Sequence, residues 1–328
     1  MTFDFELEKL VSELKKIKPK KVLVQLPEGI KQDAFKVSKV IEDLGIKVIV
    51  SGQTCWGGCS IAVNEAQQVG ADLIVHFGHA KFIDVDFPVL YIEMPDNLDL
   101  TSLLQRSLEQ LGKFERIGLA YSIQHKHDIG KIVKFYQDNG KKVILTEKKG
   151  HVAYEGHVVG CQYSGFKSIQ DKIDCFVVIG NNFHSMGAAI SVEKPVFLID
   201  VYNDKITEMK NVREMIIKQR MISIEKLKQA KKVGIIRELK LGQVFGDYDA
   251  FAEKLKKQGK EVVMISMEEL TPDKIMNFYN VDCFVVFACP RIAIDDFAKY
   301  EKPILTPREA LVAIGEKSWD EFLESGVI

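Results

Sequence analysis

Asp174-Cys-Phe-Val-Val178 is repeated letter for letter at Asp282-Cys-Phe-Val-Val286, and Asp72-Leu-Ile-Val75 is the same phrase with other apolar residues. Each is an aspartate followed by a short continuous apolar run, the pattern of a strand covered on both faces. Downstream of each a proline opens another apolar run: Pro88-Val-Leu-Tyr-Ile92, Pro195-Val-Phe-Leu-Ile199 and Pro303-Ile-Leu305. The spacings are 88 − 72 = 16, 195 − 174 = 21 and 303 − 282 = 21, so one unit is written three times in register. Upstream, every copy begins on a basic residue and a strand: Lys21-Val-Leu-Val-Gln25, Arg116-Ile-Gly-Leu-Ala120 and Lys232-Val-Gly-Ile-Ile236. A helical stretch follows and stops at a glycine, which leads into a second strand at Gly45-Ile-Lys-Val-Ile-Val50, Gly140-Lys-Lys-Val-Ile-Leu145 and Gly259-Lys-Glu-Val-Val-Met264.

Strands alternating with helices predict parallel sheets joined by right-handed crossovers. The fold class is therefore α/β, with three similar small parallel-sheet domains. The landmarks divide the chain into a leading helix (1–18), a first repeat (19–110), a second (111–207), a connecting helix (208–229) and a third repeat (230–328). Helical periodicity in the leading segment runs over 3–17.

Composition bounds the function. The 45 Lys+Arg and 46 Asp+Glu leave a formal charge of −1, which provides no electrostatic pull toward nucleic acid or an anionic membrane surface. With 46% apolar and 28% charged residues the chain has the profile of a folded protein. No run approaches the roughly 18 apolar residues of a membrane span, and the acidic start lacks the basic and apolar regions of a secretory signal. The expected location is the cytoplasm, where cysteines stay reduced. Cys55, Cys59, Cys161, Cys175, Cys283 and Cys289 then point to metal binding or redox chemistry rather than disulfides.

The repeats sort these cysteines. Cys175 and Cys283 follow the aspartate that opens the third strand, where the first copy has Leu73, so both are expected in the core. Cys59, Cys161 and Cys289 lie beyond strand ends, one per repeat, where open parallel sheets place ligand sites. Two glycines precede Cys59, and the apolar spacing after it (Ile61, Val63, Ala66, Val69) predicts a helix starting at that thiol. Pro290 suits a first helical position and makes Cys289 a cap residue. Such settings favour exposed thiolates of lowered pKa. The separations, 161 − 59 = 102 and 289 − 161 = 128, exclude a local zinc knuckle. Spacing alone leaves two readings open. Either the three thiols converge to hold an iron–sulfur cluster with one iron free of cysteine, or they are unrelated. Cys55, four residues before Cys59, reads as a neighbour.

Several further stretches carry a resemblance: Leu26-Pro-Glu-Gly-Ile-Lys31, Thr54-Cys-Trp-Gly-Gly-Cys59, Gly70-Ala-Asp-Leu-Ile-Val-His-Phe-Gly-His79, Ile123-Gln-His-Lys-His127, Val159-Gly-Cys161, Phe183-His-Ser-Met-Gly187, Leu241-Gly-Gln243 and Ala288-Cys-Pro-Arg-Ile-Ala-Ile-Asp-Asp296. Over nearly its whole length the chain resembles the archaeal 2-(3-amino-3-carboxypropyl)histidine synthases of diphthamide biosynthesis. The resemblance implies a pseudo-three-fold arrangement around a central [4Fe-4S] cluster held by Cys59, Cys161 and Cys289. It implies S-adenosylmethionine as substrate, bound at the free iron, and an external electron donor. The 3-amino-3-carboxypropyl group, released as a radical, goes to a histidine of translation elongation factor 2. The family's archaeal members act as homodimers, and neither nucleic acid nor membrane enters the reaction. Trp56, Gly58 and Arg237-Glu238 depart from the family's usual residues.

The loops after the three first strands, Gln25 to Glu28, Gln124 to His127 and Lys240 to Gln243, would turn toward one shared cleft in a three-fold arrangement. Gly242, Gln243, Gly78, His79 and Gln124 are the candidate substrate contacts, with His184 able to orient substrate. His125-Lys-His127 reads as a solvated loop rather than a metal site. Two alternatives remain at this point: a quinolinate-synthase-like cluster enzyme, and a non-catalytic protein whose cysteines hold structural zinc.

Overall fold

The computed structural model describes residues 3–243 and 246–328. Among them, the strands of each copy form a sheet of their own. The first contains β1 (Lys21–Gln25), β2 (Lys47–Val50), β3 (Leu73–Phe77) and β4 (Val89–Ile92), all parallel in the order β2-β1-β3-β4. The second contains β5 (Arg116–Tyr121), β6 (Lys142–Leu145), β7 (Cys175–Gly180), β8 (Val196–Asp200) and β9 (Lys205–Glu208), in the order β6-β5-β7-β8-β9. The third repeats the first with β10 (Lys232–Glu238), β11 (Glu261–Met267), β12 (Cys283–Phe287) and β13 (Ile304–Leu305), in the order β11-β10-β12-β13.

The landmark residues have mechanical roles. The Asp72 carboxylate accepts the backbone N–H groups of Lys20 and Lys21 at 2.8 and 3.1 Å. Asp174 does the same for Glu115 and Arg116, and Asp282 for Lys231 and Lys232, at 2.8 to 3.1 Å. One side chain thus satisfies the unpaired amides at the start of the first strand and sets its register against the third. Gly45, Gly140 and Gly259 all have φ of +77°, the left-handed conformation that closes a helix C-terminus and is strained for other residues. The repeated Phe of the second and third copies has a partner too. Phe176 lies opposite Gly118 and Phe284 opposite Gly234, whereas the first copy sets Ile74 opposite Leu23. A Cβ on either glycine would stand 2.6 Å from the facing ring, so large-plus-none and medium-plus-medium fill the same space. Cys175 and Cys283 are fully buried in the cores of their sheets, as is Leu73.

The structure differs from expectation at the joints. The leading helix spans Leu7–Ile17 only, because Phe3 bridges to Asp96 and Asp4 accepts the Glu6 amide in a turn before the helix starts. The helix Thr101–Gln110, which the repeat boundaries place in the first unit, buries Leu103 and Leu104 against Ile117, Val177 and Phe197 of the second sheet. β9 is antiparallel to β8 and extends the second sheet by a strand without counterpart among the described residues of the other copies. The connecting helix covers Lys210–Gln229 and is anchored by charge. Arg220, fully buried, bonds both carboxylate oxygens of buried Glu309 and the carbonyls of Ala293 and Ile304 at 2.5 to 2.9 Å. Every polar atom of that fork has a partner, which is the condition for a charged pair to persist without water. No helix among the described residues is long and apolar enough to cross a membrane.

Candidate metal centre

Cys59, Cys161 and Cys289 line one cavity of about 580 Å³ between the three domains. Cys59 sits in the loop after β2, Cys161 in the loop after β6, and Cys289 two residues beyond β12. Cys289 caps the helix Pro290–Ile294, with proline at its first turn as expected. Cys59 does not start a helix. The helix begins at Val63, and Cys59 lies in a turn closed by the Ser60 amide on the Gly57 carbonyl at 3.0 Å. The thiols are half-buried rather than exposed. Desolvation raises the pKa of all three, Cys161 to about 12, with the neighbouring thiol charges pushing Cys161 and Cys289 further. The short helix at Cys289 does not offset this, because burial and the neighbouring thiols disfavour its thiolate more than the Arg291 amide favours it.

Each domain boundary is stitched beside a cysteine. Between the first and third domains, the Gly242 amide donates to the Cys59 carbonyl at 2.9 Å, and Gln243 Nε2 lies 3.4 Å from Cys59 Sγ. Glu269 accepts from Thr54 Oγ1 at 3.2 Å and from Trp56 Nε1 at 3.1 Å. Between the second and third, Arg291 donates to the Phe183 carbonyl at 2.7 Å and the Gly160 carbonyl at 3.4 Å, stacks 4.1 Å from the Phe183 ring, and is held from behind by Asp295 at 2.7 Å. Between the first and second, Gln124 Nε2 donates to the Gly78 carbonyl at 2.8 Å.

The sequence candidates fall in two groups. Gly78, His79, Gln124, Gln243 and His184 line the cavity with the three thiols. Gly242 lies behind the wall. A Cβ there would stand 2.5 Å from the Cys59 carbonyl oxygen and 2.6 Å from its Cα, so this glycine is where the third domain's backbone presses on the Cys59 loop. His125 is not in a solvated loop: it is fully buried, and neither ring nitrogen has a protein partner. His127 is the one that reaches Asp128 at 3.0 Å. Sequence reasoning missed Arg291 and Glu269. The Arg291–Asp295 spacing of one helical turn after Cys289-Pro290 was a usable signal, whereas the reach of Glu269 across a domain boundary left none.

Three cysteine sulfurs converging from three elements form a soft donor set of the kind that holds an iron–sulfur cluster, and an amide N–H aimed at one sulfur is a feature that tunes such centres. The residues present fit that group. Fold and site together define an α/β protein of three repeats with a cavity at their junction lined by one cysteine from each.

The model of the family described as "Putative diphthamide synthesis protein" matches residues 26–323. The chain is 30% identical over 328 residues to 2-(3-amino-3-carboxypropyl)histidine synthase of Pyrococcus horikoshii, covering 99% of this chain and 94% of that one. It is 30% identical to 2-(3-amino-3-carboxypropyl)histidine synthase subunit 1 of Kluyveromyces lactis, over 95% of this chain and 75% of the yeast protein. A crystal structure of Dph2 from Pyrococcus horikoshii with a 4Fe-4S cluster superposes with a TM-score of 0.89 at 28% identity, covering 97% of this chain and 93% of that one. The chain belongs to the diphthamide synthesis family.

Proposed function

We propose that this chain is a 2-(3-amino-3-carboxypropyl)histidine synthase that moves the 3-amino-3-carboxypropyl group of S-adenosylmethionine onto a histidine of translation elongation factor 2 in the cytoplasm. The observation that carries the reading is one cysteine from each repeat lining a single cavity. Cys59, Cys161 and Cys289 would hold a [4Fe-4S] cluster. Bound there and reduced by an external donor, a cluster would supply the electron for cleavage of a sulfonium carbon–sulfur bond, with 5′-methylthioadenosine as co-product and one electron and one proton given up again when the imidazole carbon is substituted.

The chain's own residues prepare the substrate. The sulfonium substrate carries positive charge at its sulfur and its ammonium. Glu238 Oε2, Asp295 Oδ1 and Gln243 Oε1 are buried without protein partners on residues that line the cavity, and burial raises the pKa of Glu238 and Asp295 although Lys240 and Arg291 stand beside their other oxygens, so the free oxygens can accept from the substrate's ammonium. His79, Gln124 and the Gly78 backbone face the same space. His184 and His157, on the second domain's side of the cavity, are kept neutral by burial and suit a site that receives a neutral imidazole from the target protein. A homodimer is proposed for this chain as well.

The test is anaerobic incubation of the reconstituted protein with dithionite, S-adenosylmethionine and the elongation factor. Release of 5′-methylthioadenosine, with the amino-carboxypropyl mass on one histidine of the factor, supports the reading. No release, or quinolinate formation from small metabolites, overturns it. Zinc without sulfide at the three cysteines would leave a non-catalytic protein instead.

A further inference from the structure

A second constellation of soft donors lies beside the cavity but uses none of its three cysteines. The Cys55 sulfur and one ring nitrogen each of His76 and His79 lie within 4.8 Å of one another. His76 is fully buried on β3 and Cys55 is 4% exposed in the loop after β2, while half-buried His79 faces the cavity.

The hydrogen bonds around His76 fix which nitrogen is free. Gln25 Nε2 donates to the Ser60 carbonyl at 3.0 Å, so its oxygen points the other way and accepts the Ala62 amide at 3.1 Å. That oxygen is 3.2 Å from His76 Nδ1, which must therefore carry the proton. His76 Nε2 is left as a lone pair that accepts from His79 Nδ1, 3.1 Å away, and a metal between the two nitrogens would take the place of that one proton. An imidazole whose second nitrogen is pinned by a buried acceptor is how metal-ligating histidines are oriented. The 3.1 Å separation is close to the edge of a tetrahedron with zinc–nitrogen bonds of 2.0–2.1 Å, which is about 3.3 Å. An ion between the rings asks for a shift of tenths of an ångström in the nitrogen separation, and the Cys55 sulfur lies within 4.8 Å of a nitrogen of each ring. The Glu28 carboxylate, paired with Lys31 at 2.9 Å, accepts the Cys55 amide at 3.1 Å and so fixes the backbone of the Cys55 loop beside the site.

We propose that Cys55, His76 and His79 form a zinc site, with the fourth position open toward the cavity on the His79 side. Two imidazoles and one thiolate in a small tetrahedral frame select zinc over magnesium or calcium, which take oxygen ligands. The ion ties the Cys55 to Cys59 loop to the end of β3 and so positions Cys59 from behind. The site shares no ligand with the cluster reading, and either reading survives the failure of the other.

The test is zinc, iron and sulfide per chain in the anaerobically purified, reconstituted protein after dialysis against zinc and then against metal-free buffer, with X-ray absorption at the zinc edge. The expected result is one zinc per chain bound by one sulfur near 2.3 Å and two nitrogens near 2.0–2.1 Å. Cys55→Ala and His79→Ala should each lose the zinc, Gln25→Leu should weaken retention about 10–100-fold, and Cys161→Ala should keep zinc while losing iron. Absence of zinc, or its retention in both Cys55→Ala and His79→Ala, overturns the proposal. So does loss of zinc in Cys161→Ala, which would put the ion among the three cavity cysteines and count against the cluster.

Discussion

Gly242→Ala tests whether the third domain's loop positions Cys59. The new Cβ would begin 2.5, 2.6 and 2.8 Å from the carbonyl oxygen, Cα and Cβ of Cys59. Carbon contacts relax to about 3.5 Å or more, so the two backbones must part by roughly 0.9 Å. Neither side is a flexible side-chain tip. Parting by that distance lengthens the 2.9 Å bond from the Gly242 amide to the Cys59 carbonyl past usefulness. Losing it costs about 0.5–1.5 kcal/mol, and the overpacking a further 1–3 kcal/mol. If the Cys59 loop moves instead, its sulfur leaves its place by several times the roughly 0.2 Å tolerance of a metal–ligand bond. Denaturant unfolding and anaerobic iron and sulfide analysis read the two outcomes. The unfolding midpoint and the cluster content should both fall. Gly130→Ala is the control, because a Cβ there meets nothing within 4 Å, and an alanine in that helix should stabilise by about 0.5–1 kcal/mol. Gly242→Ala behaving like Gly130→Ala in both measurements would refute the reasoning.

Arg220→Ala, which strands buried Glu309, should cost about 3–5 kcal/mol in denaturant unfolding; a loss under about 1 kcal/mol would show the pair to be no better than a surface one. Cys283→Leu, mimicking Leu73, should fold at a cost of at most about 1–3 kcal/mol and keep iron and sulfide, whereas Cys161→Ala should lose both; loss of iron from Cys283→Leu alone would mean the cysteines are wrongly sorted. Asp174 is held at about 2 by the Arg116 side chain and the strand-start amides. Its folded pKa is below its unfolded value of about 3.9, so its contribution is present above that pH and lost as pH falls through about 2. Acid unfolding of Asp174→Asn should be less steep between about pH 4 and 2; an unchanged acid limb would deny the carboxylate its part in strand registration.

What could be read along the chain was local in origin. Asp72, Asp174 and Asp282 act on amides of the neighbouring strand, and Gly45, Gly140 and Gly259 act on their own helix ends, so each leaves a mark at a fixed place in every copy. Threefold repetition turned those marks into an α/β fold and separated Cys175 and Cys283, whose slot accepts Leu73, from the three cysteines with no such equivalent. Residues 101–110 fell in the first unit by the repeat boundaries, and which sheet buries the helix there was not legible, since its leucines suit either. β9 stayed hidden because four residues with a single apolar side chain, Ile206, carry almost no periodicity.

The convergence of Cys59, Cys161 and Cys289 across separations of 102 and 128 residues is a property of how three sheets pack, and no local pattern encodes it. The same holds for Gly242 against Cys59, Arg291 against the Phe183 and Gly160 carbonyls, and the approach of Cys55 to His76 and His79. Sequence determined the three units and the candidate donors, because strand, cap and turn preferences act over a few residues. Tertiary structure alone decided which donors share a cavity and which way their lone pairs point, because those depend on contacts between residues the chain keeps far apart.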